Sequence, residues 1–273
     1  QELIRMEFGF SLPSGGPIAS PGNIITLARR GEALGFGFLG VSDHVVLPKD
    51  IQSRYPYNPH GKYGGSSEYL EPLALLSFVA AQTSRVRLVP SVLVLPYRGP
   101  VLTAKILASI DVLSQGRLTL GCGTGWMREE FKLLGSPSFE ERGKVTDEYL
   151  MAFKELWTSD SPAFSGEHVS FSDLGFFPKP VQKPHPPIWV GGESPRALRR
   201  VARFGDGWFP IGTNPAYPVG TERQLADAIS RLHRYVEEEG RDPAGISIAY
   251  NASLSGTLSH SDIGAKKSLL AGT

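Results

Sequence analysis

Cysteine is almost missing from this chain: Cys122 stands alone among 273 residues. A single thiol excludes a disulfide framework and a cysteine-based metal cluster, and it fits a reducing, cytoplasmic setting. No run approaches the roughly 18 apolar positions of a membrane span, and the first residues lack the basic-then-apolar order of a secretory leader. Charge of either sign is not in excess, with 28 Lys and Arg against 27 Asp and Glu and no block of one sign. The balance offers nothing to nucleic acid or to an anionic membrane surface, so a small molecule is the expected partner.

What is present is apolar sequence in repeated short runs. At 41% hydrophobic residues the chain can bury a sizeable core. Short β-branched runs followed by helical periods recur along it, which is a βα series. Strands are expected at Met6 to Phe10, Phe36 to Ser42, Val86 to Leu95, Arg117 to Gly121, Ile188 to Val190, Gly207 to Pro210 and Ile246 to Tyr250. Helices are expected at Ile24 to Leu34 behind an Asn23 cap, Leu73 to Gln82 behind Pro72, Val101 to Leu113, Glu140 to Trp157, Pro195 to Phe204 and Glu222 to Glu239.

Two segments interrupt the series. Val45 to Tyr69 is polar, aromatic and glycine-rich, too long for an ordinary βα loop and therefore a candidate lid. Thr158 to Pro187 is irregular and carries six prolines. Strands alternating with helices, without a linker-like break, favour one (β/α)8 TIM barrel with insertions, spanning residues 1–273 as a single domain. The eighth strand is not found in the sequence, and the C-terminus is expected to be incomplete, because a closed barrel needs that strand.

The hexapeptide LGCGTG, residues 120–125, invites comparison with S-adenosylmethionine-dependent methyltransferases. Those enzymes place a glycine loop after their first strand, with an acidic residue closing the next strand roughly 20 residues on. Here three βα units precede the loop and no such acidic strand follows. In a barrel, Gly123, Thr124 and Gly125 instead fall at the C-terminal end of a strand, where active sites are built and glycine lets backbone approach a ring or phosphate. Cys122 reads as a small buried residue, with no basic neighbour in sequence to activate it.

Other strand ends carry chemistry. Asp43 and His44 end the second strand, a general base with an orienting carboxylate beside it. With His60 they make no ligand set, so no metal is expected. Gly191, Gly192, Glu193 and Ser194 run into a helix that Pro195 opens, an arrangement that presents free N–H groups to a phosphate. Glu193 opposes that reading unless its side chain turns away. Ser91 and Val92 lie in a strand interrupted by Pro90 and Pro96, which implies a bulge.

Taken in order, "SDH", "RVRLVPSVLVLPYRGPVLTAKILASIDVLSQGRLTLGCGTGWMREEFKLLG", "ERG", "DEYLMAFKELW" and "PIWVGGESPRALRRVARFGDGWFP" resemble the bacterial luciferase-like family, in particular its coenzyme F420-dependent oxidoreductases. The resemblance runs from Met6 to about Tyr250. It implies a (β/α) barrel, commonly a homodimer, with a deazaflavin or flavin ring across the strand ends. Asp43 and His44 match the family's second-strand pair, with His44 the candidate acid or base. Ser91 and Val92 match a non-proline cis peptide behind the ring. Gly123, Thr124 and Gly125 match the loop beside the ring, and Gly191, Gly192, Glu193 and Ser194 the phosphate side.

Two departures bear on specificity. Gly123 stands where luciferase itself carries an arginine for the flavin phosphate, which argues against luciferase-style FMN binding. Trp126 stands where F420-dependent sugar-phosphate dehydrogenases carry an acidic residue, which points to an apolar or planar substrate. The expectation is hydride transfer between F420 and a small organic substrate. An FMN-dependent monooxygenase is the alternative, followed by a cofactor-binding protein without turnover and by the methyltransferase.

Overall fold

The structure is a computed structural model that describes residues 6–65 and 68–252. In chain order it contains β1 (Gly9–Ser11), α1 (Pro21–Ala33), β2 (Phe38–Val41), α2 (Pro72–Ala80), β3 (Arg87–Pro90), β4 (Leu93–Val94), α3 (Pro100–Leu113), β5 (Leu120–Gly123) and α4 (Arg128–Leu133). There follow α5 (Arg142–Thr158), β6 (Phe164–Ser165), β7 (Ser170–Phe171), β8 (Ile188–Gly191), α6 (Pro195–Phe204), β9 (Gly207–Phe209), α7 (Glu222–Glu238) and β10 (Ser247–Ile248). The expectation about an eighth strand concerns positions outside the described residues. Among the described residues no helix is long and apolar enough to cross a membrane.

The chain forms two compact units. The larger holds Glu7–Ser53 and Tyr63–Ile188; the smaller holds Arg54–Lys62 and the chain from Trp189. In the larger unit β1, β2 and β3 lie parallel, with Gly9 opposite Phe38 and Phe38 opposite Arg87. A parallel bridge from Leu88 to Leu118 and the pairing of β4 with β5 at Leu93 and Cys122 continue the series. Leu39, Leu88, Leu93, Leu120 and Cys122 are fully buried, as strands covered on both faces require. In the smaller unit β8, β9 and β10 are parallel, with Trp189 and Ser247 both opposite Gly207. The guanidinium of Arg241 reaches past the end of α7 to the carbonyls of Ala202 and Gly205 at the end of α6.

Local chemistry explains most boundaries. Pro21, Pro72, Pro100 and Pro195 each open a helix, where the missing N–H costs nothing. The cap of α1 is Ser20 and not Asn23: its side chain accepts from the Asn23 N–H at 3.3 Å. The third strand does not run unbroken from Val86 to Leu95. It halts at Pro90, resumes as β4 and ends in a 3-10 turn over Leu95–Tyr97, because prolines at 90 and 96 withhold ladder donors. Within the segment read as irregular, β6 and β7 form a two-residue antiparallel pair, too short to leave a periodic signal.

Glu32, one residue from the end of α1, binds the N–H groups of Ser84, Arg85 and Val86 at 2.9, 2.6 and 2.9 Å. Burial raises its carboxyl, but the backbone bonds from Val86, Arg85 and Ser84 outweigh burial and bring it down to about 2. A depressed carboxyl stabilises the fold above its unfolded value of 4.5, and that contribution disappears as pH falls toward 2. Glu32→Gln is therefore expected to cost about 1 to 3 kcal/mol at pH 7. Chemical denaturation at pH 7 and pH 3 checks this: the gap between the two proteins should narrow in acid, and a constant gap refutes it.

Candidate active site

The C-terminal end of β2 delivers Asp43 and His44 into the larger unit, 6% and 8% exposed. They do not face each other. The Asp43 carboxylate receives two bonds from Arg98 at 2.8 Å each and one from the Val94 N–H at 2.8 Å. Arg98 also binds Glu71 at 2.8 Å. Burial raises the Asp43 carboxyl, and the bonds and charge of Arg98 work against it. With both oxygens occupied, Asp43 holds β4 and the turn after it in place. Its expected part as the carboxylate that orients His44 is corrected by the structure.

That part falls to Glu130, in the first turn of α4 and fully buried. Its Oε2 lies 2.8 Å from His44 Nδ1 and accepts from the Tyr97 hydroxyl at 3.0 Å. Its Oε1 accepts from the N–H groups of Val45 and Val46 at 2.7 and 3.2 Å. Tyr97 remains a hydroxyl donor because burial, then the charge of Glu130, raises it far above its ordinary value. In the tautomer with its proton on Nδ1, His44 is a further donor to Glu130 beside Val45, Val46 and Tyr97. The free imidazole atom is then Nε2, which can accept a proton or return one.

Aromatic rings cover the imidazole. Tyr63 and Tyr69, both from the Val45 to Tyr69 insertion, lie 5.0 and 5.1 Å from it, and their hydroxyls bond to each other at 2.7 Å. Trp126 stands edge-on at 6.4 Å from His44 and 5.3 Å from Tyr63. The start of the insertion is anchored by the neighbour of Glu130: Glu129 accepts from the N–H groups of Gln52 and Ser53 at 2.8 and 2.9 Å.

The glycine loop adjoins this cluster through β4 and β5. The peptide between Ser91 and Val92 is cis. A Cβ on Gly123 would lie 2.7 Å from Val92 Cγ2. Gly125 has φ +80°, and a Cβ there would lie 2.7 Å from both Phe131 and Val94. The loop can therefore pack against Val92, Val94 and Phe131 only with glycine at 123 and 125. Arg142 steadies it, its Nε donating to the Gly125 carbonyl at 3.2 Å. Asp43, His44, Ser91, Val92, Gly123, Thr124, Gly125 and Trp126 all belong to the larger unit.

Gly191, Gly192, Glu193 and Ser194 are described in the smaller unit. Gly192 has φ +102°, and Ser194 caps α6 by accepting from the Ala197 N–H at 3.2 Å. Glu193 is turned into the protein, binding the Ile211 N–H at 2.8 Å and Asn214 at 2.6 Å. Burial raises its carboxyl, opposed by those two bonds. The objection that its charge faces the helix N-terminus is thereby weakened.

Sequence reasoning missed Glu130, Arg98, Tyr97, Tyr63 and Tyr69. Glutamates in a first helical turn are common because of the helix dipole, so Glu129 and Glu130 carried no distinguishing signal. Arg98 between Tyr97 and a Gly-Pro helix start was the better clue, a cation in an otherwise apolar stretch.

The sequence profile of the luciferase-like monooxygenase family matches residues 6–262. The chain belongs to this family. The uncharacterized protein Mb0965c of Mycobacterium bovis is 36% identical over 219 residues, 80% of this chain and 72% of the relative. An FMNH(2)-dependent dimethylsulfone monooxygenase of Pseudomonas putida is 34% identical over 154 residues, 56% of this chain and 42% of that enzyme. Among solved structures, an F420-dependent secondary alcohol dehydrogenase in complex with an F420-acetone adduct superposes with TM-score 0.72 at 21% identity, covering 90% of this chain and 68% of that one. The luciferase-like fold is the TIM barrel expected from the βα series, and its members are oxidoreductases and monooxygenases acting on small molecules.

Proposed function

We propose that this luciferase-like protein is an F420-dependent oxidoreductase in which His44 exchanges a proton with a small organic substrate while a hydride moves between substrate and cofactor. The bond from His44 Nδ1 to the buried Glu130 carries the reading, since it holds the imidazole with Nε2 as the working atom. The deazaflavin supplies hydride transfer when bound. For a carbonyl substrate, His44 Nε2 delivers the proton to the oxygen as the carbon is reduced, and it removes that proton in the reverse direction. Tyr63, Tyr69 and Trp126 around the imidazole favour an apolar or planar substrate, and Arg98 is already engaged by Asp43 and Glu71.

Gly123, Thr124 and Gly125, with Ser91, Val92 and Asp43 of the same unit, are assigned to the ring of either cofactor, supported by the place of the loop at the C-terminal end of β5. Gly191, Gly192, Glu193 and Ser194 are assigned to its phosphate side, supported by the capped start of α6 and the inward turn of Glu193. The second reading, an FMN-dependent monooxygenase, is supported by the similarity to the dimethylsulfone monooxygenase. Parallel equilibrium titration of the protein with F420 and FMN separates them. The proposal expects tighter binding of F420, and bleaching of its absorbance by a reducing substrate. Preference for FMN sinks it in favour of the monooxygenase, and F420 binding without turnover across a broad substrate panel favours a carrier.

A further inference from the structure

Away from His44, in the same unit, lies a second group of potential ligands. Glu141 immediately precedes α5, while Glu167 and His168 occupy the turn between β6 and β7. One ligand atom from each lies within 4.8 Å of the others. We propose that these three residues bind a divalent transition-metal cation of the Zn2+ type.

The strongest pointer is the imidazole. His168 Nε2 is buried and has no hydrogen-bond partner. Taking a polar nitrogen out of water without a partner costs about 1 to 3 kcal/mol, so such an atom calls for an occupant. Neither carboxylate is within hydrogen-bond reach of it, and with the ring proton on Nδ1 the Nε2 lone pair is left for a cation. A cation satisfies all three at once.

The backbone is prepared for this. Glu148 of α5 accepts from the N–H groups of Glu167, His168 and Val169 at 3.0, 2.7 and 2.7 Å, which fixes the turn that carries two of the ligands. Ligands at about 2.0 to 2.2 Å around a tetrahedral ion stand roughly 3.3 to 3.6 Å apart, so closure asks for a modest inward swing. Glu167 is exposed and free to make it. One imidazole and two carboxylates suit Zn2+ with water in the fourth position, whereas Ca2+ and Mg2+ prefer oxygen ligands alone. Lys144 competes from 3.9 Å for Glu141, but its side chain is 72% exposed and yields readily.

The bound ion would clamp the β6–β7 turn to the start of α5. The next residue after Glu141 is Arg142, which supports the Gly125 carbonyl. The site therefore reinforces the glycine loop without touching a reacting atom, and it does not depend on which cofactor the protein uses.

Calorimetric titration of the chelator-treated full chain with Zn2+, with Mg2+ in parallel, tests the proposal. One Zn2+ per chain is expected, with Mg2+ much weaker, and Co2+ in its place should give a visible ligand-field spectrum. His168→Ala should weaken Zn2+ binding by about tenfold or more and abolish the Co2+ spectrum, in line with the loss expected on disturbing a metal site. His44→Ala should leave both unchanged. Absence of Zn2+ binding, or equal affinity in the wild type and His168→Ala, overturns the site. Should His168→Ala lose its native circular dichroism, Glu167→Gln decides: it alters an exposed side chain, and unchanged Zn2+ affinity there counts against the proposal.

Discussion

Replacing His44 by alanine is expected to lower kcat by about 100-fold to 10 000-fold, the range typical of a general acid or base, while the dissociation constant of the cofactor changes far less. Steady-state kinetics and cofactor titration of the same preparation check both halves. An unchanged kcat removes His44 from the chemistry. Glu130 acts through His44, and its effect is separable from a structural one. Glu130→Gln preserves volume but places an amide where Val45, Val46, Tyr97 and His44 all present donors. It should depress kcat more than it alters KM, and the double variant should be no slower than His44→Ala alone, since groups that work as a unit are not additive. Additive losses would mean that Glu130 supports the fold and nothing more.

Arg98→Met should be the most destabilising single change in this region, by about 3 to 5 kcal/mol, because it strands a buried carboxylate. The Asp43 side chain is 0% exposed and Arg98 supplies two of its three bonds. Thermal and denaturant unfolding measure the loss, and Asp43→Asn combined with Arg98→Met should recover part of it. The pH dependence has a definite sign. Burial raises the Asp43 carboxyl in the folded protein, and removing Arg98 takes away the main opposing influence. A raised folded value stabilises at low pH and is lost as pH rises through it. The deficit of Arg98→Met should therefore be small in acid and deepen toward neutrality. A deficit independent of pH would show that Arg98 matters by packing alone.

These two residues also mark where sequence reading ends. The alternation of apolar runs with helical periods, prolines at helix starts, and glycines after a late strand determine a parallel βα fold and place LGCGTG at a strand end. They do so because each is a local constraint, written in residues within one or two turns of one another. The same local logic marks His44, a polar side chain at a strand end, as chemically interesting. It fails at the residue's partners. Adjacency suggested Asp43, yet both residues lie past the end of β2, where no strand or helix period relates neighbouring side chains. His44 meets Glu130 across 86 positions, and Asp43 meets Arg98 across 55. Likewise, the insertion is visible as unusual composition, while its closing of Tyr63 and Tyr69 over the imidazole is not. Nor does any spacing announce that Glu141 would come to face His168. Such pairings follow from which buried groups must find donors and acceptors once the core has packed, and only the tertiary structure decides them.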